Sequence, residues 1–136
     1  MNPYPWFYSG EPANDMVERW QWTFPIIFSP LDDNMLFVSS NRLWRTTDNG
    51  NTWDQMSPDL TRADPSTLGH SGGPITGDMN GPEVYATIFA VGPSKVDINV
   101  IWTGSDDGLV HVTRDDGATW QNVTQPDMPD FGRVSR

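Results

Sequence analysis

Apolar positions in this chain come in short runs cut by turn residues. Thr23 to Phe28, Met35 to Ser39, Leu43 to Thr46 and Thr52 to Met56 are rich in β-branched and aromatic residues and are bounded by Pro, Asp, Asn or Gly, which predicts four strands joined by turns. A second set follows at Val84 to Val91, Val100 to Gly104, Leu109 to Thr113 and Thr119 to Val123. No stretch sustains a helical period, so the expected fold class is all-β. Between Pro58 and Glu83 the chain is dominated by Gly, Pro, Asp, Ser and Thr, and this segment is predicted to be one long loop.

The two sets repeat one another. Thr46-Thr47-Asp48-Asn49-Gly50-Asn51-Thr52-Trp53 returns as Thr113-Arg114-Asp115-Asp116-Gly117-Ala118-Thr119-Trp120, at an offset of 67 (113 minus 46), so T-x-D-x-G-x-T-W occurs twice. Ser29 to Ser40 lies over Ser94 to Ser105 at an offset of 65 (94 minus 29). The two extra residues are taken up between Ser40 and Thr46, around the hairpin turn that reads Ser40-Asn41-Arg42 in the first copy and Ser105-Asp106-Asp107-Gly108 in the second, where extra length costs little. Met56-Ser57 then matches Val123-Thr124, and Pro58-Asp59-Leu60 matches Pro126-Asp127-Met128.

Four antiparallel strands per repeated unit is the layout of a β-propeller blade. The expectation is an incomplete propeller: two blades of four antiparallel strands plus the start of a third, with the long loop lengthening the repeat. The domain organisation follows as an N-terminal segment 1–21, a first blade 22–61, an inter-blade loop 62–83, a second blade 84–128 and the start of the next at 129–136. Propellers close with about four to eight blades. The chain is therefore expected to be a piece of a longer polypeptide, its partners being the remaining blades of that chain or of other copies.

The octet has a local physical logic. Asp48 and Asp115 sit in the turn between the third and fourth strands of each unit, where a carboxylate can accept from nearby backbone N–H groups and from the hydroxyls of Thr46, Thr52, Thr113 and Thr119. Gly50 and Gly117 supply a backbone angle that a Cβ resists. Trp53 and Trp120 are expected to fold back as apolar plugs. All of these roles are structural.

The octet resembles the Asp-box, or BNR, repeat of sialidases, sortilin-type receptor domains and xyloglucanase-like glycoside hydrolases, and the phrases around it (L-W-R-T-T-D-N-G-N-T-W, S-P-D-L-T-R, I-W-T-G-S-D-D-G-L-V-H-V-T-R-D-D-G-A-T-W) are similar to those of large bacterial proteins with sortilin-like or glycosyl-hydrolase-like propellers. The resemblance covers about Trp22 to Arg136. It implies a binding or scaffolding module for a protein, peptide or glycan, or alternatively part of a glycoside hydrolase, in an extracellular or periplasmic setting. The sialidase arginine cluster and F/Y-R-I-P signature are not recognisable, the nearest phrase being Phe131-Gly132-Arg133-Val134.

Composition narrows the partners. Eight Lys and Arg stand against eighteen Asp and Glu, a formal net charge of −10, which repels a nucleic-acid backbone. There is no Cys, so neither disulfides nor Cys-ligated zinc contribute. No apolar run is long enough for a membrane span, and the opening Met1-Asn2-Pro3-Tyr4-Pro5-Trp6 lacks the basic and apolar regions of a signal peptide. No cofactor or metal is expected. Asp48-Asn49-Gly50 and Asp115-Asp116-Gly117 lack the ligand ladder of a calcium loop.

Antiparallel topology puts the turns between the second and third strands, together with the inter-blade loops, on the face opposite the octets. Candidate contacts on that face are Arg42, Arg62, His70, Asp78, Glu83, Asp106, Asp107 and His111. Glycoside hydrolysis needs two carboxylates about 5 to 9.5 Å apart. Asp78, Asp106 and Asp107, with Glu83, are the candidates, although Asp-Asp-Gly is also what a hairpin turn requires. Exposed Trp beside such a pair would mark a sugar platform, and Trp6, Trp20 and Trp44 are the residues to inspect. Gly69-His70-Ser71-Gly72-Gly73 matches G-x-S-x-G, but it lies in a Gly- and Pro-rich loop without the strand and helix a nucleophile elbow needs. Asn122-Val123-Thr124 fits a glycosylation sequon.

Overall fold

The structure is a computed structural model that describes residues 3–6, 9–75, 77–79 and 83–135. It consists of two four-stranded antiparallel sheets, each built from consecutive strands. The first contains β1 (Ile26–Phe28), β2 (Leu36–Ser39), β3 (Leu43–Thr46) and β4 (Asp54–Gln55); the second contains β5 (Ile88–Pro93), β6 (Ile101–Ser105), β7 (Val110–Thr113) and β8 (Gln121–Asn122). Neither sheet closes on itself.

The repeat read from the sequence is carried into the register. Ile26 pairs with Val38 and Phe28 with Leu36 in the first sheet, and Val91 pairs with Thr103 and Pro93 with Ile101 in the second. Phe37 opposes Arg45 as Trp102 opposes Val112, and Trp44 opposes Gln55 as His111 opposes Asn122. The turns match as well. Ser29 N–H donates to Met35 O at 2.8 Å, and Ser94 N–H to Val100 O at 2.9 Å.

β3 spans Leu43–Thr46 as expected, whereas β1, β4, β5 and β8 begin later than the apolar runs suggest, because the residues before them bond elsewhere. Thr52 and Thr119 N–H donate to aspartate carboxylates rather than to a ladder, so β4 and β8 begin two residues later. Thr87 N–H donates to Asp106 at 2.9 Å and Ala86 takes a left-handed φ of 63°, so β5 starts at Ile88 rather than Val84. Before β1, Phe24 N–H turns back to Gln21 O and Pro25 has no N–H to give.

The core lies between the sheets. Phe37, Leu43 and Met56 from the first meet Ile88, Val91 and Ile101 from the second, with Leu60 and the half-buried Trp120 completing the cluster. Side chains alternate across a strand, so Ile27 packs inward while Ile26 and Phe28 point away from the second sheet. Ile88 N–H donates to Ser40 O at 2.8 Å across the junction. The tail repeats that contact on the second sheet, where Val134 N–H donates to Ser105 O at 3.0 Å. A Cβ on Gly104 would lie 2.3 Å from Val134 Cγ1, so only glycine admits the tail there. Arg136, the last residue of the expected third-unit strand, lies outside the described residues.

The segment expected to be one long loop is anchored at several points. It contains a 3-10 turn at Pro65–Thr67 whose N–H at Ser66 is capped by the Asp64 carboxylate at 2.9 Å. Leu60 joins the main core, and Leu68 packs with Ala13, Met16, Val84 and Ala86 in a second apolar cluster. That cluster ties the N-terminal segment to the loop, and Asn14 N–H donates to Leu68 O at 3.0 Å. Single apolar residues in a polar run carry no period, which is why the sequence does not reveal these anchors.

Candidate functional site

Each octet folds into a closed set of hydrogen bonds. Asp48 Oδ1 accepts from Thr46 Oγ1 at 2.9 Å and from Thr52 N–H at 2.9 Å, and Oδ2 accepts from Thr52 Oγ1 at 2.7 Å. Asp115 repeats all three at 2.8, 2.8 and 2.6 Å. Gly50 and Gly117 N–H each donate to the preceding threonine hydroxyl at 2.9 Å. The turn crosses the left-handed region at Asn49 and Gly50 and again at Asp116 and Gly117. Hydrogen bonds from Thr52 hold the Asp48 carboxyl below its ordinary range, and those from Thr119 do the same for Asp115. These acids are fully committed to the turn.

The octet tryptophans differ in their polar ends. Trp120 Nε1–H donates to Met56 O at 3.0 Å, bridging the two sheets. Asp116 also reaches across, accepting both contacts from Arg45 Nη1 at 2.8 Å. Trp53 is half-buried, and its Nε1 is buried without a partner among the described residues.

The opposite face carries the β2–β3 and β6–β7 turns and the connecting segments, and it is dense with buried charge. Glu18 is fully buried and accepts from Ser40 Oγ and from Arg42 Nη1. Arg19 donates its N–H to Asn41 Oδ1 and its Nε to Ala86 O, both at 2.9 Å, and its Nη2 to Asp59 at 2.6 Å and Thr61 at 3.0 Å. Burial pushes the Asp59 carboxyl up, but Thr61, Arg19 and Asn41 together outweigh it and leave Asp59 below its ordinary value. None of Glu18, Arg19 or Asp59 stands out in the sequence, because what gathers them is long-range folding.

Asp106 and Asp107, candidates both for ligand contact and for a catalytic pair, are buried. Asp106 accepts from Thr87 N–H and Thr87 Oγ1, each at 2.9 Å; Asp107 accepts from Arg62 N–H at 2.8 Å, Ala63 N–H at 3.3 Å and Ser105 Oγ at 2.5 Å. Their role is to cap backbone donors of the inter-sheet connection. Burial, with Asp107 nearby, raises the Asp106 carboxyl above its ordinary range despite the Thr87 bonds. Arg62 is likewise engaged, donating Nε–H to Asp107 O at 2.8 Å and stacking over Phe131 at 5.0 Å. His111 is half-buried, its Nδ1 has no partner among the described residues, and burial lowers its pKa.

His70, Asp78 and Glu83 are exposed. Ser71 Oγ donates to the Met79 sulfur at 3.2 Å rather than to a base. Of the inspected tryptophans, Trp44 is buried, Trp20 is half-buried edge-on to Phe24, and Trp6 is exposed. A fourth, Trp22, was missed: it is exposed, and its Nε1–H donates to the Glu83 carboxylate at 2.8 Å. Gln21 pairs with Glu83 through an isolated bridge that sets this contact. Among the described residues no group of three or more His, Asp or Glu side chains forms a metal site, and no helix is long and apolar enough to cross a membrane. No protein-family model matches the chain, and no curated protein matches it.

Proposed function

We propose that the chain is part of a BNR/Asp-box β-propeller that acts as a protein- or glycan-binding module, its two sheets being successive blades and its recognition surface the face opposite the octets. The observation that carries this reading is the duplicated register together with the duplicated octet turn, which makes the two sheets one structural unit used twice. The acids of the recognition face support binding over catalysis. Asp106 and Asp107 spend their carboxylate oxygens on backbone and hydroxyl donors, and Trp22, steadied by Glu83, offers a flat apolar surface to a ligand.

The alternative is a glycoside hydrolase, which would have to use Asp78 and Glu83, the two exposed acids among the candidates. Titration of the labelled protein with xyloglucan oligosaccharides and with sialyllactose, followed by NMR, separates the readings. Shifts at the Trp22 indole that vanish in Trp22→Ala, with the sugar recovered intact, are the expected result. Release of reducing sugar that stops in Glu83→Gln would replace the binding reading with the hydrolase. Shifts confined to the octet turns would refute the assignment of the face.

A further inference from the structure

Two large apolar side chains exposed on the outer sheet faces, Trp102 and Ile26, have repeat mates buried between the sheets. Phe37 is 1% exposed in the junction, whereas its mate Trp102 on the second sheet is 44% exposed. Val91 is 8% exposed, whereas its mate Ile26 on the first sheet is 60% exposed. Phe28, two residues along β1 on the same face, is also open to solvent at 59%. Strand alternation fixes the directions: Ile101 and Ile27 pack into the junction, so Trp102, Ile26 and Phe28 face outward. The second sheet thus presents outward the kind of face by which the first sheet grips it, and the first sheet presents the receiving face. The two ends are complementary to each other and not to themselves.

We infer that the outer face of the first sheet receives the outer face of the second sheet of another copy of this chain, in a head-to-tail contact that repeats the packing between the sheets within one copy. Such a contact is heterologous, so copies add in one direction. Trp53, whose mate Trp120 bonds across the internal junction, lies on this receiving side. Val134 already donates to Ser105 O at the rim of the second sheet, so the incoming copy displaces the tail from Gly104. Each copy carries a formal charge of −10, so like-charge repulsion opposes the contact and added salt strengthens it.

The inference depends on the repeat and not on ring closure, and sedimentation velocity on the full chain tests the two separately. Wild type is expected to associate as concentration rises from micromolar to millimolar. Ile26→Glu with Phe28→Glu blocks one end and Trp102→Glu blocks the other; each variant alone is expected to stay monomeric, and their mixture to form a one-to-one dimer and nothing larger. Should glutamate unfold either protein by circular dichroism, threonine at the same positions carries the same comparison. A wild type that stays monomeric, a blocked variant that associates like wild type, or a mixture that stays monomeric would each overturn the contact. A wild-type assembly that stops at two to four copies, giving four to eight sheets, fits a closed propeller. Growth without limit keeps the contact and removes the ring.

Discussion

The octet turn concentrates its information in two residues, an aspartate and a glycine. Asp115 gathers two hydroxyls and one N–H of its own turn, and these bonds favour its ionised form. A carboxyl held below its unfolded value contributes stability that is present above about pH 4 and is lost as pH falls through the lower folded value. Asp115→Ala is therefore expected to lower the melting temperature at pH 7, with the gap to wild type closing near pH 2. A gap that does not depend on pH would show that the charge is immaterial. Gly117 is constrained twice, by a φ of +87° and by the Met56 carbonyl, which would lie 2.6 Å from a Cβ. Gly117→Ala is expected to cost about 1–3 kcal/mol in urea unfolding from backbone strain, with any shift of Met56 added to that.

Between elements, the junction is held by apolar contact and by a few directed bonds. Trp120→Phe keeps most of the ring while removing the donor to Met56 O, and a loss of about 1 kcal/mol is expected from the single bond. Arg19 is the larger test, since one side chain binds the Ala86 carbonyl of one connection and the Asp59 and Thr61 side chains of another. Arg19→Met leaves Asp59 without its cation at a site only partly open to water, and a cost of roughly 2–4 kcal/mol is expected by denaturant titration. An unchanged midpoint would mean that water replaces the guanidinium without loss.

How much of this was legible depends on range. The strands, their order and the octet bonds are set within a few residues, so β-branched runs, Asp, Gly and the two offsets sufficed to place them. Glu18, Arg19 and Leu68 act across 16 to 67 residues of separation, and no local pattern announces them. Asp106-Asp107-Gly108 was legible as a turn, but not the inward rotation of both carboxylates onto Thr87 and Arg62. That rotation moved two residues from the expected ligand surface into the framework.

Across the whole molecule, five carboxylates held away from their ordinary values pull stability in opposite directions with pH. Asp48, Asp59, Asp64 and Asp115 are held below their ordinary values, so protonating them as pH falls through the folded values removes stability. Asp106 is raised, so the folded state holds its proton longer than the unfolded chain does. Its contribution falls as pH climbs from about 4 through the folded value. The repeat supplies a natural replacement, because the mate of Asp106 is Asn41, whose Oδ1 accepts the Arg19 N–H at 2.9 Å as Asp106 accepts that of Thr87. Asp106→Asn keeps the backbone acceptor, lets the amide donate to Thr87 Oγ1, and removes a buried charge beside Asp107. The variant is therefore expected to unfold at a higher urea concentration than wild type at pH 7 and to lose that advantage at pH 3, where Asp106 of the wild type is protonated. A variant less stable than wild type at pH 7 would show that the ionised carboxylate earns more from its two Thr87 bonds than its burial costs.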